Sequence, residues 1–295
     1  MNDECRMQNE ESKAGNLLFR SSFPRPLPFI IHHSSFIIIC LLAVGCTITP
    51  PAPQPPPPPP ASLVSANQAL ASNMPDAAIS DAQSYLRSQP TGPQAAEAWY
   101  FQGRGFEMKT ASNPGDIDRN LFDAHSCYLK ALEQSPPSPL EGDIRASLSN
   151  VAYFQDEYPE AIREATAAIP LVSSPQTKSF LLFRIGVSQQ RLGLWTDADL
   201  TFHQVEQKYP GTPLAEAARD HEGQKEFYVQ LATYDTRDTA DRALTTLRSS
   251  GVILSERTDA KGITVVDKGP YATYSEAKKV KDELVKTFPS ALIVP

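Results

Sequence analysis

Hydrophobic and polar positions fall into three regimes along the chain. Phe36–Val44 is an unbroken apolar run, FIIICLLAV. From 61 to 225 the apolar positions recur at helical spacing, are rich in alanine and lack alternating β-branched runs, which predicts a succession of helices. From 227 onward the pattern changes. Phe227–Tyr234 (FYVQLATY) and Gly262–Asp267 (GITVVD) alternate as strands do, and Val252–Leu254 and Ala291–Val294 are short apolar runs. Helical stretches over Thr239–Ser249 and up to about Lys286 separate them, giving the order β-α-β-β-α-β.

The last seventy residues also repeat within themselves. At an offset of 37, Val229 matches Val266, Tyr234 matches Tyr271, Ala240 matches Ala277 and Leu247 matches Leu284; Thr236 and Thr273 each precede a helix. Thr273 with Glu276 makes a capping box. A twofold βαβ repeat of this size predicts an antiparallel sheet with both helices on one face and the other face open. Strand alternation sends Val229 and Leu231 to the helix-covered face, and Tyr228, Gln230, Val265 and Asp267 to the open one.

The helical block repeats too. Trp99-x3-Gly103-x2-Phe106 leads into Ala124-x3-Tyr128-x2-Ala131-x4-Pro136; Leu148, Ala161 and Ala168 repeat the second half, then Gly186, Gly193, Ala198-x3-Phe202 and Pro210. The alanines at 124, 161 and 198 are 37 residues apart twice running, and a weaker unit runs from Ala78 to Pro90. Small residues suit the crossing of two helices: Gly103 is expected against Ala124 and Gly186 against Ala198, with Phe106, Tyr128 and Phe202 filling the space between units. An insert over 109–117 (KTASNPGDI) reads as a loop because of its Asn-Pro-Gly.

Composition adds a spacer and removes several chemistries. Nine of the 27 prolines lie within Pro50–Pro60, which cannot be helix or central strand. As polyproline II this segment would span about 34 Å; it reads equally as a disordered linker. The net charge of −7 resides in the helical block and argues against nucleic acid as a partner. Of four cysteines only Cys127 lies in the folded body, where it reads as a small buried hydrophobe. No zinc motif, phosphate loop or nucleophile elbow occurs; no cofactor and no metal are expected, and the chain does not read as an enzyme.

Three resemblances follow from these residues. The run ending Leu42-Ala43-Val44-Gly45-Cys46 resembles a bacterial lipobox, the apolar stretch being too short to span a bilayer and suited to a signal-peptide core. That implies lipidation of Cys46, with Thr47 after it favouring the outer membrane, facing the periplasm; an ordinary secretory signal is the alternative. The helical block resembles tetratricopeptide repeats, which implies a groove for an envelope protein partner. Val229-Gln230-Leu231-Ala232-Thr233-Tyr234 and Lys268-Gly269-Pro270-Tyr271, with Ala240, Leu247, Gly251, Ala277 and Leu284, resemble the SPOR domain, the peptidoglycan-binding module of bacterial division proteins. This implies a site for stripped glycan strands; Gln230 and Tyr228 suit amides and sugar edges, and the resemblance adds Thr233 and Tyr271. Tyr271 reads equally as core. Val265 and Asp267 stand where the family often has arginines.

The organisation expected is therefore a signal peptide over 1–45, a lipidated cysteine and proline-rich linker over 46–61, a TPR-like helical solenoid over 62–223 and a small mixed α/β SPOR domain over 226–295. The function implied is that of a membrane-anchored envelope protein in division or wall remodelling, binding glycan strands and a protein. The other class is an assembly scaffold whose C-terminal module makes protein contacts only.

Overall fold

The computed structural model describes residues 60–111, 113–248, 254–258 and 263–295. Cys46, the apolar run and most of the proline tract lie outside them. Among the described residues nine helices come first: α1 (Ala61–Ala71), α2 (Pro75–Ser88), α3 (Pro93–Met108), α4 (Pro114–Glu133), α5 (Ser138–Phe154), α6 (Tyr158–Ala168), α7 (Pro175–Arg191), α8 (Trp195–Lys208) and α9 (Pro213–His221). Proline occupies the first or second position of seven of them, where a missing N–H and a fixed φ cost the helix nothing. Much of the proline excess beyond the tract therefore starts helices.

Each helix packs against the next, and the odd-numbered helices also pack on one another, α1 on α3, α3 on α5, α5 on α7 and α7 on α9. The result is a row of antiparallel hairpins whose odd members form a continuous column. The turn inside three hairpins is the same: Asn73, Asp156 and Gly193 each take positive φ (57°, 61° and 74°), and the next amide bonds back five residues, Met74 to Ala69, Glu157 to Ala152 and Leu194 to Gln189. That is the Schellman close, which favours glycine or asparagine because a left-handed residue ends the helix.

The small residues do a different task from the one expected. Gly103 faces the ring of Tyr128, and Gly186 faces the ring of Phe202; a Cβ would sit 2.5 Å and 2.6 Å from the nearest ring carbon. The glycine thus admits its hairpin partner's aromatic rather than its alanine. In the hairpin between them, Ser149 and Ala165 take the corresponding places, and Ser149 Oγ donates to the Ala161 carbonyl at 2.8 Å. Ala124, Ala161 and Ala198 are fully buried. The insert differs from expectation as well. Asn113 caps α4, its side chain accepting from the Asp116 amide at 2.9 Å, so Pro114-Gly115 opens a 20-residue helix instead of extending a loop.

The C-terminal part holds β1 (Phe227–Tyr234), α10 (Arg237–Arg248), β2 (Ser255–Thr258), β3 (Thr264–Tyr271), α11 (Tyr274–Leu284) and β4 (Leu292–Val294). The strands form an antiparallel sheet in the order β2-β3-β1-β4, with α10 and α11 packed against it. The capping box is made: Thr273 Oγ1 accepts from the Glu276 amide at 3.2 Å, and Glu276 Oε2 from the Thr273 amide at 3.3 Å. β2 begins after Leu254, which packs against the core; Val252 and Ile253 lie outside the described residues.

The two parts share a core. Trp195, at the start of α8, joins Phe227, Val229, Leu231, Ala277 and Ile293, and its ring lies 4.9 Å from that of Phe227. Tyr158 meets Tyr274 edge-on at 5.6 Å, and Lys278 reaches Asp156 at 3.6 Å. No helix among the described residues is long and apolar enough to cross a membrane.

Candidate functional site

Two surfaces are candidates. The first is the sheet face away from α10 and α11. Strand register brings its residues together: Gln230 lies opposite Asp267 and Thr233 opposite Val265 across β1 and β3, while Tyr228 and Gln230 pair with Val294 and Leu292 of β4. A bulge between Gln230 and Ala232 resets the alternation. It is what places Thr233 with Gln230 on this face and turns Ala232 and Tyr234 toward α10, where Tyr234 packs with Ala240, Leu244 and Val266. Tyr228, Gln230, Thr233, Val265 and Asp267 thus form one patch.

Two expectations about this face need correction. Its centre is not open: Gln230 is 6% and Asp267 3% exposed. Each lies on an inner strand with paired neighbours on both sides, Asp267 and Leu292 beside Gln230, Gln230 and Ser255 beside Asp267. Ser255 Oγ also donates to the Asp267 carbonyl at 3.1 Å. Tyr228, Thr233 and Val265 are half-buried. Tyr271 does not join the patch. It packs against the helix-covered core with Phe227 and Val229, and burial, then Glu283, raises its phenol pKa. The β4 pair Leu292 and Val294, each 4% exposed, was missed as part of this face. The alternation of a three-residue strand is too short to assign a side without its partner's register.

The second surface is the odd-helix column, which carries a buried polar chain. Glu107 on α3 accepts from the Tyr128 hydroxyl at 2.5 Å and from Asn150 Nδ2 at 2.7 Å; Asn150 Oδ1 accepts from Arg184 Nη2 at 3.1 Å. Arg184 is 1% exposed, and its guanidinium stacks 3.9 Å from the Tyr153 ring centre. Asp143 has its carboxyl pushed up to about 6 by burial, against the opposing pull of Arg104. Polar groups placed this regularly inside a hairpin column link α3, α5 and α7 into one network. Sequence periodicity could not reveal it, because each member occupies a position that reads as core.

Among the described residues, His203, Glu206 and Glu222 are the group whose ligand atoms come within 4.8 Å of one another and could hold a cation. Glu206 already accepts from Arg219 Nε at 3.0 Å, and His203 is exposed. Cys127 is buried, and burial pushes its thiol up to about 12, out of the nucleophilic range.

No curated protein matches the chain. Residues 223–295 match the family model of the SPOR domain, a peptidoglycan-binding domain associated with cell division.

Proposed function

We propose that the chain is an envelope lipoprotein, anchored through Cys46 in the outer membrane, that binds peptidoglycan glycan strands with its SPOR domain and an envelope protein with its tetratricopeptide-like hairpins. Its role lies in cell division or wall remodelling and is not catalytic. The observation that carries this reading is the SPOR match over 223–295, whose sheet gathers Tyr228, Gln230, Thr233 and Val265 on one face. The recurring left-handed turns and the odd-helix column support the repeat assignment. An amide such as Gln230 can donate to and accept from N-acetyl groups, and a phenol ring suits sugar C–H edges.

A scaffold reading is favoured by one observation. Asp267 places a carboxylate beside Gln230 at the centre of the patch, where it would repel the lactyl carboxylates of a glycan. Co-sedimentation of the whole chain with purified sacculi, before and after amidase removal of stem peptides, separates the two. Retention that rises on stripped sacculi supports glycan binding. Absence from both pellets favours the scaffold.

A further inference from the structure

The junction between the hairpins and the SPOR domain holds more positive charge than its carboxylates match. Arg191 ends α7, and its guanidinium carbon lies 4.3 Å over the Tyr274 ring. Among the described residues no carboxylate pairs with it, and its Nη1 is buried without an acceptor. Across the junction, α11 presents Tyr274, Lys278 and Lys281 at spacings of four and three, hence on one face. Lys278 Nζ stands 3.6 Å from Asp156 and 3.8 Å from Asp282, both well exposed. Burial, then Lys278 and Arg191, lowers the Lys281 pKa, with Asp282 and Asp156 opposing. The phenols nearby are already engaged: the Tyr158 hydroxyl donates to Asp156 Oδ1 at 2.6 Å, and the Tyr153 side chain is the hydrogen-bond partner of the Arg191 guanidinium, which leaves Nη1 as the buried donor still unmatched.

We infer that this junction is an oxyanion site, in which Arg191, Lys278 and Lys281 together hold a carboxylate or phosphate group that bridges α7 and α11. A guanidinium presents parallel N–H donors that suit a two-oxygen group, and the ammonium groups add point charges that tolerate several approach angles. An oxyanion here would give the Arg191 Nη1 its acceptor and offset the mutual repulsion of three cations. It would also join the last hairpins to the SPOR domain, so ligand binding and domain docking reinforce each other. The inference rests on the junction's geometry and is independent of the glycan reading.

The test is thermal melting and calorimetric titration of the whole chain with inorganic phosphate and, separately, N-acetylmuramic acid, each against chloride at matched ionic strength. The expected result is saturable stabilisation by at least one of the two, absent with chloride. Lys278→Met/Lys281→Met should weaken that affinity at least tenfold while keeping the helical circular dichroism spectrum; Lys278 is 45% exposed, so its loss leaves the core intact. A response to N-acetylmuramic acid alone identifies a wall carboxylate as the ligand, and one to phosphate alone a phosphorylated ligand. The inference is overturned if neither probe exceeds chloride, or if the double variant responds as the wild type does.

Discussion

Gly186→Ala should destabilise the α7–α8 hairpin through a single ring. A Cβ at 186 would lie 2.6 Å from Phe202 Cε1 and 2.9 Å from both Cδ1 and Cζ. Ordinary carbon contacts begin near about 3.5 Å, so the ring must retreat by about 1 Å. It has little room to do so: Phe202 is 0% exposed and is flanked by Phe183 at 5.6 Å and His221 at 5.1 Å. Overpacking of this kind costs about 1–3 kcal/mol, against a helix-propensity gain of about 1 kcal/mol for alanine. The expected net loss is up to about 2 kcal/mol. Phe202→Leu alone should cost about 1–2 kcal/mol by shrinking the core. Together the two changes should cost less than their sum by at least about 1 kcal/mol, because the clash has lost its ring. Urea unfolding followed by far-UV circular dichroism measures all three variants. Additivity within about 0.5 kcal/mol would refute the argument that glycine is present to admit the aromatic.

Four further outcomes are expected. Burial, then Arg191, holds the His221 imidazole down at about 4 from 6.5, so the unfolded chain binds the extra proton; stability present above about pH 6.5 is lost as pH falls toward 4, up to about 3 kcal/mol. Asp143, raised to about 6, acts in the opposite sense, so the test is the flatter acid limb of His221→Gln relative to wild type in urea titrations across that window. Gln230→Ala should cost about 1 kcal/mol of sacculus binding and, because Gln230 is 6% exposed, about 1–3 kcal/mol of fold stability as well, so pelleting is compared where urea titration shows both chains folded; unchanged pelleting of both Gln230→Ala and Tyr228→Ala would remove the sheet face as the site. Trp195→Ala should lower the unfolding midpoint of the SPOR domain by about 2–3 kcal/mol equivalent, judged by partial burial and the stacked Phe227 ring, and proteolysis near 223–226 should quicken. Cys46→Ala should release the protein from membranes or block its processing, read by fractionation and precursor size.

The sequence carried the parts of this fold that depend on periodicity. Ala124, Ala161 and Ala198 announced the hairpins because a small side chain recurs at each of these fully buried positions. Phe227–Tyr234 was readable as a strand because its apolar side is continuous from Phe227 to Leu231. What it did not carry depends on contacts between distant residues. The bulge at Gln230/Ala232 decides on which side Thr233 falls, and it arises from pairing with β3. Tyr271 was ambiguous because an aromatic at a strand end suits either face until a neighbour such as Phe227 takes one. Trp195 lies in the helical block by sequence, and only the packed structure shows it in the core of the SPOR domain. A fragment ending at 225 would leave Trp195 without the ring of Phe227.

The sharing of Trp195 makes the chain's two halves behave mechanically as a strut. The backbone link between α9 and β1 is short, running from Glu222 to Glu226, and would act alone as a swivel. It is bracketed by the Trp195–Phe227 stack on one side and by the Tyr158–Tyr274 and Asp156–Lys278 contacts on the other. Turning the sheet about the link requires shearing these contacts together, so tension applied at the sheet reaches the last two hairpins as a load on packed rings. Across the described residues, the distance from α1 to the sheet face is then held by the length of the hairpin row.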